Sequence, residues 1–234
     1  MSFESMAVLQ EPYLSWLLQG LSLTFALFIF SWTTAFVLGF LLLLLRMSPI
    51  KVIAWIPATY IELARNIPLL VQIMFWYFAV PMLLPDFLQQ ALNRGDSGFV
   101  LAGLALGFCM AAYFSESFRS GVRSINNTQL EASRALGFSF LRTMQYIVFP
   151  QALRATIPLI MNNTLLLFKN TSIAMAIGVH ELMYQVLSIN NDTFRTFEIF
   201  FVATLVFLFF SVLIMIAGEF AERWAKKSRR ISDA

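Results

Sequence analysis

The chain has 234 residues, 59% of them hydrophobic and only 12% charged, with a formal net charge of +3. Ordinary soluble domains carry roughly 25% charged residues, so this composition excludes one and points to a single all-α membrane domain over 1–234. The apolar runs are continuous rather than alternating with a period of two, which excludes a β-barrel. The basic residues cluster beside those runs, so no nucleic-acid partner is implied.

Residues 1–15 hold no Lys or Arg, and the apolar run that follows is too long for the core of a leader, so no cleavable signal peptide is expected. The first membrane span is predicted over 16–45, longer than the ~20 residues a helix needs to cross the hydrocarbon core, so it tilts or begins in the interface. Residues 50–64 are apolar but interrupted by Glu62, with Arg65 just beyond, and are expected at the inner interface. The second span is predicted over 67–84, the third over 99–118, the fourth over 156–180 and the fifth over 197–219. In the third, Gly103, Gly107 and Ala111 form a small-x3-small ladder for close helix packing, within or between subunits. Cys109 is the one cysteine, which excludes an internal disulfide and reads as a small buried apolar residue.

Charge sets the orientation. Alternate loops sum to thirteen Lys and Arg on one side and two on the other, with Lys169 inside a span. Positive charge stays cytoplasmic, so the N-terminus is expected outside, the C-terminus inside, and the loop 119–155 in the cytoplasm. The tail 222–230, ERWAKKSRR, suits anionic lipid headgroups, although anchoring the topology explains it as well.

The loop carries its own local logic. Thr128 and Glu131 stand as S/T-x-x-E, which predicts a capping box at a helix start. Gly137 can adopt φ > 0 and end that helix. A second apolar run over 140–149 leads into Pro150, so the segment reads as helix, break, helix.

Glu131, Ala132, Ser133, Gly137, Ile147 and Pro150 keep the spacing of the EAA-x3-G-x9-I-x-L-P loop, and the chain resembles the permease subunits of ABC importers. Ser133 stands where alanine is usual and Phe149 where leucine is usual. Three further segments resemble the polar-amino-acid branch of that family. They carry Tyr60, Glu62, Arg65, Pro68, Leu69 and Gln72; then Ala111, Ala112, Tyr113, Glu116 and Arg119; then Lys169, Asn170, Thr171 and Ser172. Asn170 replaces an acid, and Asn126-Asn127-Thr128-Gln129 replaces the usual Gly-Gln lead-in. The runs FKNTSIA and ELARNIPLLVQ are most similar to glutamate and aspartate importers.

The resemblance implies five transmembrane helices in the type I ABC importer permease fold. It also implies a second permease subunit, identical or homologous, and two copies of a cytoplasmic ABC ATPase docked on the 128–138 helices. An extracytoplasmic solute-binding protein would deliver an amino acid. The chain shows no G-x4-G-K-[S/T] phosphate loop, no catalytic constellation and no metal-ligand set, so ATP and Mg would sit on the partner ATPase.

A charged group inside a membrane costs at least ~2.5–3.5 kcal/mol and marks function by default. Lys169 is expected near the middle of the fourth span, with Asn163, Asn170, Thr171 and Ser172 nearby and Asn162 on the same face. It lines a substrate path together with Glu116 and Gln72, or it pairs with Glu116 or Glu181 to hold the bundle. Glu62 with Arg65, and Glu116 with Arg119, are spaced to pair near the inner mouth. A rival reading is an ion-coupled secondary transporter or channel using Lys169 and Glu116, which the absence of an inverted repeat disfavours. His180, the one histidine, lacks companions at metal-binding spacing and reads as a polar contact.

Overall fold

The structure is a computed structural model that describes residues 7–93 and 95–232, with the side chains of Ala7, Asn93 and 226–232 outside that description. Most of the basic tail expected to meet lipid headgroups therefore lies outside the described side chains.

A short 3-10 turn, Ala7–Leu9, precedes the 34-residue helix α1, Tyr13–Arg46. α2 (Lys51–Asn66) and α3 (Leu69–Phe78) follow, then the short α4 (Val80–Leu83) and α5 (Asp86–Asn93). α6, Ser97–Arg123, is capped by Asp96, whose carboxylate accepts the Phe99 N–H at 2.9 Å. It leads to α7 (Asn127–Ala135), α8 (Phe140–Thr143), a π-helical segment (Met144–Val148) and α9 (Phe149–Asn170). A 3-10 stretch, Thr171–Ile177, ends at Gly178, and α10 (Leu182–Thr193) and α11 (Thr196–Ser232) complete the chain.

α6 is the axis of the bundle, because α1, α2, α3 and α9 all pack against it. The buried face of α1 repeats every three or four residues as Leu17, Gly20, Thr24, Leu27, Ser31, Ala35, Gly39 and Leu43, the period of one helical face. It meets the small-residue ladder of α6. A Cβ added at Gly103 would come within 2.2 Å of the Phe30 ring, and one at Gly107 within 2.7 Å of Thr34. The ladder therefore serves packing within the subunit. Edge-to-face rings seal the same seam: Phe36 lies 5.3 Å from Phe118 and 6.3 Å from Phe114.

Three helices, α1, α6 and α11, are individually long and apolar enough to cross a membrane. Phe140–Ile177 and Leu182–Thr193, bent by 51°, make a fourth if taken together. The segment expected over 67–84 is the ten-residue α3 broken from α4. Pro68 precedes α3, and Pro81, in the first turn of α4, has no N–H to continue the hydrogen bonds of α3.

The expected fourth span also changes shape. Helix begins well before 156, running through the π-helical segment into α9. Pro150 causes this local widening: it has no N–H for a bond to residue 146, and its ring crowds that carbonyl. The chain makes room with an i→i−5 bond from Phe149 N–H to Met144 O. Pro150 therefore sits in the first turn of α9, and helix runs on through it. At the other end α-helix gives way to 3-10 after Asn170, and Gly178 stops it at φ +80°.

Candidate functional site: the coupling loop and the face of α9

The loop helix α7 starts two residues earlier than the capping-box reading expects. Asn126 is its N-cap, and its side-chain oxygen accepts the Thr128 N–H at 3.1 Å. Thr128 sits inside the first turn and Glu131 is exposed further along, so these two residues form no capping box. Asparagine caps better than threonine, and the triplet Asn126-Asn127-Thr128 offers the stronger cap first.

The C-terminal end follows expectation. Gly137 has φ +77°, its N–H meets Arg134 O at 2.9 Å, and the Phe138 N–H meets Ser133 O at 3.0 Å. These two bonds are the Schellman arrangement. Ser133, the departure from the usual alanine, has a role the sequence did not disclose. Its Oγ donates to Leu130 O at 2.8 Å and lies 3.0 Å from Thr143 Oγ1, with both side chains buried. The pair clamps α7 to α8, and Gln151 Nε2 donates to Gln129 Oε1 at 2.6 Å across the same fold-back. The outer side is open: Ala132 is exposed, Leu136, Phe140 and Leu141 are exposed apolar side chains, and Ile147 is half-buried. Exposed apolar side chains grouped in this way form a patch of the kind that marks an interaction surface.

Behind the loop stands an ion cluster. Glu116 Oε1 binds Arg46 Nη1 closely and lies 3.5 Å from Arg119 Nη1. The Glu116–Arg119 pair is present, and Arg46, the last residue of α1, joins it. Sequence spacing could not supply that contact across 70 residues. Among the described residues no ion pair joins Glu62 to Arg65. Arg65 instead places its guanidinium 5.4 Å from the centre of the Tyr113 ring, a cation–π contact that removes it from the facing carboxylate. Nearby, Tyr60 donates to Phe108 O at 2.8 Å. Burial, with a smaller contribution from Cys109, pushes its phenol up to about 12.

Several residues assigned to a substrate path are occupied by the fold. Gln72 Nε2 donates to Ala64 O at 2.8 Å and Ile67 O at 2.9 Å, closing the C-terminus of α2. Asn163 is buried and donates to Ser117 Oγ at 2.9 Å, which ties α9 to α6. Trp32 Nε1 donates to Thr164 Oγ1 at 2.8 Å, tying α9 to α1. Thr171 and Ser172 hydroxyls bond back to the carbonyls of Phe168 and Lys169.

Lys169 stands apart from these. It is exposed in the last turn of α9, where the helix dipole favours a cation. No ion pair engages it among the described residues. Glu116 is held by arginines, and the buried Glu181 caps α10 by accepting the Met183 and Tyr184 N–H groups at 3.0 and 2.9 Å. Both bundle-holding partners and the Lys169–Glu116 ion site are thus unassembled. What remains is a stripe on α9, Leu159, Asn162, Leu166 and Lys169, exposed along one face, with the half-buried Asn170 beside it. His180 stacks on Tyr184 with centroids 4.3 Å apart. Among the described residues no three potential metal ligands gather.

The chain is thus a helical bundle with a clamped helix, α7, at one end and a polar stripe on an exposed face of α9. The chain belongs to the family of binding-protein-dependent transport system inner membrane components, which residues 20–227 match. It is 30% identical over 215 residues to the glutamate/aspartate import permease protein GltJ of Escherichia coli (strain K12), covering 90% of this chain and 87% of that protein. It is equally 30% identical over 217 residues to the arginine transport system permease protein ArtQ of Bacillus subtilis (strain 168), covering 93% and 95%. A crystal structure of an amino acid ABC transporter with histidines superimposes with TM-score 0.82 at 27% identity, covering 95% of this chain and 99% of that one.

Proposed function

We propose that this chain is the transmembrane permease subunit of an ATP-driven importer of polar amino acids in the bacterial inner membrane. The observation that carries the reading is α7: a capped, clamped helix that displays an apolar rim at the basic end of the bundle. The thirteen-to-two asymmetry of Lys and Arg supports a cytoplasmic position for that end, with the N-terminus outside. Five crossings are then α1, α3 with α4, α6, α9 with its 3-10 extension, and α11.

α7 seats on a cytoplasmic ABC ATPase, one copy for each of two permease subunits, and a solute-binding protein delivers substrate on the other side. Nucleotide binds the closed ATPase pair more tightly than the open one, and that difference is what drives the permease between inward-open and outward-open states. ATP and Mg act on the partner subunit. The stripe on α9 cannot face lipid at acceptable cost, so it faces the second permease subunit and the substrate path between them. The Lys169 ammonium attracts carboxylates, which favours glutamate and aspartate over substrates with a cationic side chain. The relatives' names span both kinds, so this assignment rests on Lys169.

Reconstitution tests the whole reading. The assembled complex in proteoliposomes should take up amino acid only with ATP and binding protein, and vanadate should stop it. Uptake by this chain alone, driven by an ion gradient, would overturn the proposal.

A further inference from the structure

Beside the α9–α11 seam lies an apolar groove of about 510 Å³ that touches the end of the loop at Pro150 and leaves out the exposed α9 stripe. Phe36 from α1, Leu153, Ile157 and Met161 from α9, and Ala221 and Trp224 from α11 line it, with Arg154 as its one charged member. Its depth is set by the long helices. Phe36 lies ten residues before the end of α1 at Arg46, and Trp224 lies past the apolar run of α11. At 1.5 Å per residue the groove runs from well inside the hydrocarbon layer to the interface. Trp224 is 69% exposed, as suits an indole at the level of headgroups.

We infer that this groove holds an acyl chain of an anionic phospholipid, whose headgroup is drawn to the basic end of α11. Charge complementarity selects that occupant. α11 carries Arg223 and then, in sequence, Lys226, Lys227, Arg229 and Arg230 immediately beyond Trp224, and such a juxtamembrane cluster attracts anionic lipid at the cytoplasmic leaflet. A helix of a second permease subunit would fill the apolar part without answering the run of basic residues that the sequence carries beyond Trp224; Arg223 itself pairs with Glu219 at 3.2 Å. The consequence is mechanical. The groove is walled by α9, which continues directly from the α7–α8 clamp, so a seated chain braces the segment that α7 moves.

This inference rests on the membrane placement proposed above. Its test uses the assembled, unmutated transporter in phosphatidylcholine nanodiscs, with phosphatidylglycerol carrying a photoreactive acyl chain. Peptides within 150–161 or 219–225 should be labelled, and unlabelled phosphatidylglycerol should compete several-fold better than phosphatidylcholine. Label elsewhere, or equal competition by the two lipids, overturns the site. Ile157→Trp, which fills the groove, should cut the label several-fold, while Ile157→Leu keeps it; equal label in both variants also overturns it. Binding-protein-stimulated ATP hydrolysis is measured in the same preparation. A complex that hydrolyses normally yet takes no label in the groove sinks the lipid site alone and leaves the transport reading standing. A photocrosslink from Leu153 to the second permease subunit would show that protein, not lipid, occupies the groove.

Discussion

Replacing Gly137 by valine should uncouple ATP hydrolysis from transport. Gly137 lies at φ +77°, and nothing stands within 4 Å of where a Cβ would be. Steric crowding by neighbours therefore contributes nothing, and the cost is conformational. An L-residue in the left-handed region costs roughly 1–2 kcal/mol, with a β-branched one at the upper end. To escape, the chain must give up the bonds from Gly137 N–H to Arg134 O and Phe138 N–H to Ser133 O. α7 is only nine residues long, too short to hold together on local propensity, so its end would fray and loosen the Ser133–Thr143 clamp. A penalty of about 1.4 kcal/mol shifts the docked, ordered fraction roughly tenfold. The assay is the ratio of amino acid moved to ATP hydrolysed in proteoliposomes, with membrane insertion checked by expression level. Valine should lower the ratio severalfold with normal insertion. Asparagine, which tolerates the left-handed region, should stay near wild type. A valine variant with a wild-type ratio, or an asparagine variant as impaired as valine, would refute the reasoning.

Asn126→Ala should cost ~0.5–2 kcal/mol of local stability, seen as faster amide exchange over 127–135, whereas Glu131→Ala should leave that exchange unchanged. Glu116→Gln weakens the hold on Arg46 and Arg119; because all three side chains are partly exposed, the loss should be about 1–3 kcal/mol, read as a lower unfolding midpoint in detergent. Lys169→Met should leave that midpoint alone, since no ion pair depends on it, while raising the KM for glutamate uptake; unchanged KM would remove Lys169 from the substrate path. Gly107→Leu should cost about 1–3 kcal/mol by overpacking α1 against α6, and thermal denaturation would show it.

Legibility followed the physics of each position. Gly137 was readable because a left-handed residue after a short helix calls for glycine, whatever surrounds it. The start of α7 was misplaced because three adjacent polar residues can all cap, and choosing among them needs the backbone path. Pro150 lies within continuous helix because a single π turn removes the conflict that proline rules describe for regular α-helix. Gln72 and Asn163 stood out in the sequence by polarity alone, which does not show partners. Their amides close α2 and join α9 to α6. Arg46 and the Ser133–Thr143 clamp escaped because each needs a tertiary contact. Lys169 drew notice from cost alone, and the structure narrowed its roles by giving every candidate carboxylate another partner.

The central claim is that α7 seats on an ATPase, and a crosslink tests it most directly. A cysteine at Glu131, exposed on α7, should join the ATPase subunit through a short bifunctional reagent, with a yield that changes on adding nucleotide. A cysteine at Asp192, at the opposite end of the bundle, should not. Failure of the Glu131 position to reach the ATPase in an intact, hydrolysing complex would contradict the account.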